Sequence, residues 1–470
     1  MAKSKIGIVD LEREAVVENS GYSGKKSKVE IWSLCGIVLL LVVSIFSSTV
    51  ARGQGGYQLS LTEAIEFARN QNKWVQAAGI AEKAAGEDLK DVYKSALPVI
   101  NVGGSYQRFS DLTLFTEGLS HASTGARRPT PNAATLGIDA LYTIYSGGKQ
   151  LALRSEQGSR LNAAKINTKE QTGIIALQTA CQYFDLVRLN EQQKFVLEQL
   201  KRAQTRMSTI NSLYENEKVT RSDVLRAEVN LSGVELSLEQ NQNDIMIVSQ
   251  KLDILLNVPD SVRILPLDSA GMARPDMRSL IPLIEVAGIS SYVLQKAAEN
   301  IEGQRARVRA LQSGNKPNLN LFGAYGLNYP NYLFFPPVDQ AYAIGFVGLK
   351  AQYSVSSLYH NKAKVASGRL KLKELEIQRE AYRDNVQTEI GSYFIKYGEA
   401  LSRIKVNERS VEQARVNYRI VYTKYVNQLS LLTDLLDADN LYQESRFNLV
   451  KAQTDAFTIY YHILYSSGKL

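Results

Sequence analysis

At 470 residues, with 44% hydrophobic and 22% charged side chains and a formal charge of +8, the chain has the composition of an ordinary folded protein of two or three domains. Its basic residues are dispersed among comparable numbers of acidic ones along helical stretches. That pattern argues against a nucleic-acid-binding stripe and for solvated helix faces.

In chain order, the first feature is an apolar run from Ile37 to Phe46, preceded by Lys25, Lys26 and Lys28 and followed by small residues at Thr49 and Ala51. This reads as a secretory signal peptide over residues 1–51, with a retained single-pass anchor over Ile31 to Val50 as the rival. Cys35 lacks the neighbours of a lipid-anchor site. Removing 1–51 takes away six basic and five acidic residues, leaves +7, and leaves Cys181 without a partner for an intrachain disulfide.

The rest of the chain repeats itself. Tyr142 and Asp223 lie 81 residues apart, and Tyr353 and Asp434 restate that pair 211 residues later. The same offset maps Leu225 onto Leu436, Ala227 onto Ala438, and Leu238 onto Leu449. Pro98, Asn101, Gly104 and Tyr106 recur as Pro317, Asn320, Gly323 and Tyr325 at an offset of 219, which puts eight extra residues of the first copy between Tyr106 and Tyr142. The expected organisation is two equivalent halves, 52–256 and 277–470, joined by a linker over 257–276.

Each half opens on short helices and then two period-two segments. In the first half these are 98–109 and 135–145, and in the second 317–329 and 344–355. Leu136, Ile138, Ala140, Tyr142 and Ile144 share one face, as do Val347, Leu349, Ala351, Tyr353 and Val355. Strands of about ten residues with such alternation suit a membrane barrel, lipid outside and water inside, although a half-buried soluble sheet alternates in the same way. Residues 110–133 and 329–341, rich in Pro, Ser, Thr, Asn and aromatics, favour the barrel, with the extra residues lengthening an outer loop. Tyr325, Tyr329, Tyr332, Tyr342 and Tyr353 are candidates for an interfacial girdle.

All eleven prolines lie outside 132–258 and 338–470, so long helices are permitted there. Alternating steps of three and four run through Val196, Leu200, Ala203, Met207, Ile210 and Tyr214, then through Ala227, Leu231, Val234, Leu238, Ile245, Val248, Leu252 and Leu255, with Asn241 filling the gap after Leu238. The later window does the same with Val411, Ala414, Tyr418, Val421 and Tyr425, then Ala438, Tyr442, Ser445, Leu449, Ala452 and Ala456. These seams predict left-handed helical hairpins over 149–257 and 360–468. Ser222 and Thr433 are the expected N-caps, with Asp223 and Asp434 in the first helical turn.

Four strands do not close a membrane barrel, because known barrels begin at about eight strands. Open edges in hydrocarbon leave backbone groups unpaired at several kcal/mol each. Strands that span a membrane here therefore demand oligomerisation.

The order of two strands and a long helical hairpin, given twice, resembles the TolC-like outer-membrane efflux protein family. The matching residues are Leu59-Ser60-Leu61-Thr62-Glu63-Ala64, Ala96-Leu97-Pro98, Tyr145-Ser146-Gly147-Gly148-Lys149, Leu256-Asn257-Val258-Pro259, and Tyr425 through Asp434-Leu435-Leu436-Asp437-Ala438. The resemblance covers residues 57 to 468. It implies a mainly α fold with β, and a homotrimer whose twelve-stranded transmembrane β-barrel continues into a periplasmic α-helical barrel. It also implies a passive exit duct of a tripartite efflux or type I secretion system, set in outer-membrane lipid and docked to a periplasmic adaptor protein and an inner-membrane transporter.

The family narrows its periplasmic entrance with a tyrosine and two acidic residues, which match Tyr425, Asp434 and Asp437. The corresponding first-half tip is Arg221 with Asp223. An arginine of the family's closed-state latch is replaced by Ser430. The plain alternative makes Asp434 a helix-end carboxylate, Asp437 a solvated neighbour and Tyr425 a packing residue. Gly147-Gly148-Lys149 lacks P-loop spacing and reads as a strand-to-helix bend. His121, His360 and His462 are scattered, and no catalytic, cofactor or metal constellation emerges, so a transport protein rather than an enzyme is expected. A periplasmic adaptor would have one hairpin instead of two, and an anchored coiled-coil scaffold would not need the strand pairs.

Overall fold

The computed structural model describes residues 57–470 apart from 111–114, 116–117, 122–129, 260–263, 332 and 334–337. The expected signal peptide, Tyr332 and most of the lengthened 110–133 loop fall outside the described residues.

Strand β1 (Tyr57–Leu59) leads into helices α1 (Leu61–Gln71) and α2 (Lys73–Lys94). Ser60 starts α1 by a reciprocal cap: its amide donates to Glu63 Oε2 at 2.9 Å, and its hydroxyl accepts from the Glu63 amide at 3.4 Å. Strands β2 (Val99–Arg108) and β3 (Asn132–Ser146) precede the long helices α3 (Lys149–Glu215) and α4 (Arg221–Leu256). Strand β4 (Ile264–Pro266) runs parallel to β1. A 3₁₀ turn (Met277–Leu280) and helices α5 (Ile281–Ser290) and α6 (Tyr292–Ser313) lead to β5 (Asn318–Tyr329) and β6 (Tyr342–Gln352). The short α7 (Ser357–His360) then opens onto α8 (Lys362–Val426) and α9 (Leu432–Ser466). The stretch Met277–Ser313 is apolar enough to cross a membrane, but it breaks at Ser291 and packs against α3 and α8.

Two corrections concern boundaries. The last strand ends at Gln352, so Tyr353 and Val355 lie beyond it, and β3 begins at Asn132, earlier than the alternation indicates. The N-caps are Thr220 and Leu431 rather than Ser222 and Thr433, because Asp223 and Asp434 at N3 reach back to those backbone amides.

The four long strands form one antiparallel sheet in the order β2-β3-β5-β6, and its edges β2 and β6 have no neighbour among the described residues. Its register aligns Val102, Ile138, Tyr325 and Gly345 in one row, and Ile100, Ala140, Gly323 and Val347 in the next. Alternation puts both rows on the same face, where Val102, Ile138, Tyr325 and Val347 are exposed. The opposite face carries Asn101, whose amide donates to Asp139 at 2.9 Å, and the Ser105–Thr135 hydroxyl pair at 2.8 Å. One face is apolar and the other is mixed, with these polar pairs beside Val99, Leu141, Phe322 and Phe346, and both faces are largely exposed. Glycine at 345 is required by close approach, since a Cβ there would stand 2.7 Å from the Tyr325 ring.

Helix α3, 67 residues long and therefore about 100 Å, is the spine of the molecule. Near its middle Tyr183 is fully buried, and its hydroxyl donates to Leu59 O at 2.8 Å and lies 2.9 Å from Asp268 Oδ2. Asp268 Oδ2 also accepts the Leu61 amide at 2.7 Å, so one carboxylate ties the start of α1 and the segment after β4 to α3. Phe184, Leu252, Leu256, Ile264 and Phe457 pack around this point. A second core joins the 3₁₀ turn, α5, α6, α8 and α9 through Leu280, Ala287, Leu294, Ile390, Tyr397 and Ile463.

Where α3 begins, Gly147 has φ +64° and a Cβ there would meet Ser313 O at 2.6 Å, so β3 turns into α3 against the end of α6. The glycine pair is a bend and holds no phosphate-loop geometry.

Candidate functional site: the hairpin tips

The two tips are built by the same backbone device. The α3–α4 turn places Glu217 at φ 55°, with its amide donating to Tyr214 O and that of Lys218 donating to Leu213 O. The α8–α9 turn places Gln428 at φ 60°, with its amide donating to Tyr425 O and that of Leu429 donating to Lys424 O. Both are helix-terminating left-handed turns in a conformation that favours glycine. The next helix is then capped by an acid at its third position. Asp223 Oδ2 accepts from the Thr220 amide at 3.1 Å and hydroxyl at 2.8 Å. Asp434 Oδ2 accepts from the Leu431 amide at 3.0 Å and the Ser430 hydroxyl at 2.9 Å.

Of the sequence candidates, Asp223 and Asp434 are therefore helix-end carboxylates whose capped oxygens are occupied by their own turns. Ser430 donates to Asp434. Tyr425 is half-buried and packs with Ile210, Ala227 and Leu432 where the two hairpins meet. Burial pushes its phenol above the ordinary range, Asp223 adds to the shift and the Arg206 guanidinium opposes it. Asp437 and Arg221 are exposed. Asp437 shares a cleft of about 480 Å³ with Arg226, Leu225 and Leu436, between α4 and α9.

A residue set that sequence reasoning missed holds the hairpins together. Asp439 on α9 is 3% exposed at its side chain and faces two arginines of α3. Its Oδ1 accepts from Arg202 Nε at 3.2 Å and its Oδ2 from Arg206 Nη2 at 2.9 Å. Arg206, 7% exposed, also reaches Asn230 Oδ1 at 3.4 Å. Next to this cluster the Arg202 guanidinium lies over the Tyr418 ring, and Tyr418 stacks on Tyr442. One step further along α9, Arg446 pairs with Glu198 at 2.6 Å and caps the Phe195 ring at 3.8 Å. Arg202 and Arg206 line a cleft of about 500 Å³ with Tyr418, Tyr422 and Tyr425.

The missed signal was a break in the repeat. At an offset of 211, Arg202, Arg206 and Asp439 correspond to Gln413, Asn417 and Glu228, so this network has no counterpart in the other pairing of helices. Among the described residues no group of three or more His, Cys, Asp or Glu side chains could hold a metal ion.

An antiparallel sheet with an exposed apolar face is thus rooted in two long helical hairpins. Residues 64–258 match the sequence model of the outer membrane efflux protein family. Over those residues the match agrees with the resemblance to TolC-like channels. The fold is that of solved channels at low sequence identity. The outer-membrane channel OprN superposes with a TM-score of 0.72 at 17% identity, covering 87% of this chain and 90% of that one. The outer membrane protein VceC from Vibrio cholerae gives 0.71 at 18%, covering 87% and 96%. The Campylobacter jejuni CmeC outer membrane channel gives 0.71 at 16%, covering 87% and 85%. No curated protein sequence matches the chain.

Proposed function

We propose that three copies of this chain form a passive exit duct through the outer membrane, with twelve strands closing a barrel and twelve long helices a periplasmic tunnel. The sheet carries the reading. Its two edges have no neighbour among the described residues, its apolar face suits lipid and the face that carries Asn101, Asp139, Ser105 and Thr135 suits water, so copies joined edge to edge satisfy the backbone where a lone sheet cannot. The likeness in fold to OprN and VceC supports the same arrangement. The two halves, with helices of 67 and 36 residues against 65 and 35, are read as a duplicated unit.

In this reading the hairpin tips form the periplasmic entrance and dock a periplasmic adaptor, which connects the duct to an inner-membrane transporter. Tyr425, Asp434 and Asp437 narrow the second-hairpin side, and Arg221 and Asp223 border the first. Asp437, exposed and free of capping duty, is the stronger source of a lumenal field favouring cations. Reconstitution in planar bilayers tests the proposal: the protein should give discrete cation-selective conductance, and Asp437→Ala should weaken that selectivity. Absence of conductance from correctly inserted protein would refute the duct, and unchanged selectivity would refute the role of Asp437.

A further inference from the structure

The channel reading assigns nothing to the segments just beyond the helix-side ends of the strands, yet their charge is one-sided. Residues 92–98, 147–155, 303–317 and 353–373, which are flanked by Asp91, Glu156, Glu302 and Glu374, hold twelve Lys or Arg, of which Arg305 is paired with Glu302 and Glu376. Residues 52–470 as a whole carry 49 basic and 42 acidic side chains. The topology gathers the strand-proximal ends of these four segments, with Lys94, Lys149, Lys316 and Lys362, at one level. They lead into β2, out of β3, into β5 and out of β6, all at the end of the sheet that joins the helices.

Helix stability does not explain the placement. Lys149 and Lys362 are the first residues of the two longest helices, where the helix dipole disfavours a cation, and neither helix has an acid in its first turn. Lys94, Lys149, Lys316 and Lys362 are exposed. Exposed apolar and aromatic residues lie at the same level, with Tyr93 and Leu97 before β2 and Tyr353, Val355 and Tyr359 after β6. Tyr353 and Val355 follow directly after the end of β6, next to the apolar sheet face. The Arg154 guanidinium lies over the Tyr93 ring, 4.6 Å from its centroid. Aromatics beside cations at the edge of an apolar band match the headgroup level of a bilayer.

We infer that this collar binds the anionic phospholipid headgroups of the periplasmic leaflet, anchoring the barrel at a fixed depth and helix-side down. The inference rests on the barrel reading and names the lipid class at its inner rim. Charge complementarity and continuity with the apolar face identify the occupant as a membrane surface.

The full-length protein is reconstituted in phosphatidylcholine vesicles carrying spin-labelled phosphatidylglycerol or spin-labelled phosphatidylcholine, and the motionally restricted fraction of each is measured. The expected result is a severalfold preference for phosphatidylglycerol that declines at high salt. It should approach unity in Lys94→Gln/Lys149→Gln/Lys316→Gln/Lys362→Gln and survive in the corresponding four-arginine variant. Equal restriction of both lipids by inserted wild-type protein, as for a collar that binds an acidic protein instead, would overturn the collar and leave the barrel standing. A preference that persists in the glutamine variant would also overturn it. Failure of the wild type to insert would overturn the barrel reading and the collar together.

Discussion

Replacing Asp439 by asparagine removes the one carboxylate that Arg202 and Arg206 share, and leaves Arg206 buried without a counter-charge. Arg202, about a quarter exposed, can turn toward water, so most of the cost falls on Arg206. Removing one partner of a buried pair costs about 3–5 kcal/mol because the remaining ion is desolvated without compensation. Allowing for one escaping arginine and the residual dipole of asparagine, about 3 kcal/mol is expected. At about 1.4 kcal/mol per decade, that raises the open population of the α3–α9 contact by roughly two orders of magnitude. Amide hydrogen exchange across residues 432–446 should accelerate accordingly, while the core around Tyr183 stays protected. An apolar replacement, Arg206→Met with Asp439→Leu, should recover much of the loss, since a packed pair carries no desolvation debt. Unchanged exchange in Asp439→Asn, or acceleration no greater than in the exposed control Asp437→Asn, would refute the reasoning.

At the strand-to-helix bend, Gly147→Ala forces a side chain into φ +64° and onto Ser313 O. It should cost upward of about 2 kcal/mol and reduce heat-stable oligomer on gels, whereas Gly148→Ala, whose Cβ meets nothing, should cost only about 1 kcal/mol. At the tips, Glu217→Gly or Gln428→Gly relieves a left-handed residue and should slow local hydrogen exchange by up to about 1 kcal/mol. Burial raises the Asp455 carboxyl above its ordinary range against the pull of Lys451 and Arg403. Its folded form therefore binds the proton more tightly than its unfolded form, and this residue's contribution falls as pH rises from the unfolded value through the raised one. Asp455→Asn should flatten that part of the stability profile measured by thermal melts between mildly acidic and neutral pH.

The parts of the fold legible in the sequence are those governed by local periodicity. The seam through Val196, Ala203 and Ile210 and its partner through Ala227, Val234 and Leu252 are buried as their spacing demands. The strand alternation likewise matches the two faces of the sheet. What escaped depends on contacts between distant segments. Helix α9 buries a second face, with Leu435, Asp439, Val450 and Phe457 flanking its heptad seam. A carboxylate there reads as solvated until its arginines, more than 230 residues away, are brought to it. The N-caps were missed for a local reason. Leu431 has no capping side chain, and its amide is satisfied by Asp434, so the cap lies two residues before the threonine that composition favours. The entrance residues were named by resemblance, and the turn geometry gives Asp434 and Asp223 a structural role first.

The assembly itself is tested most directly by the membrane location and oligomeric mass of the detergent-extracted protein. The account predicts outer-membrane material at three times the protomer mass. A monomer or dimer recovered from the inner membrane would leave β2 and β6 without partners and contradict the duct.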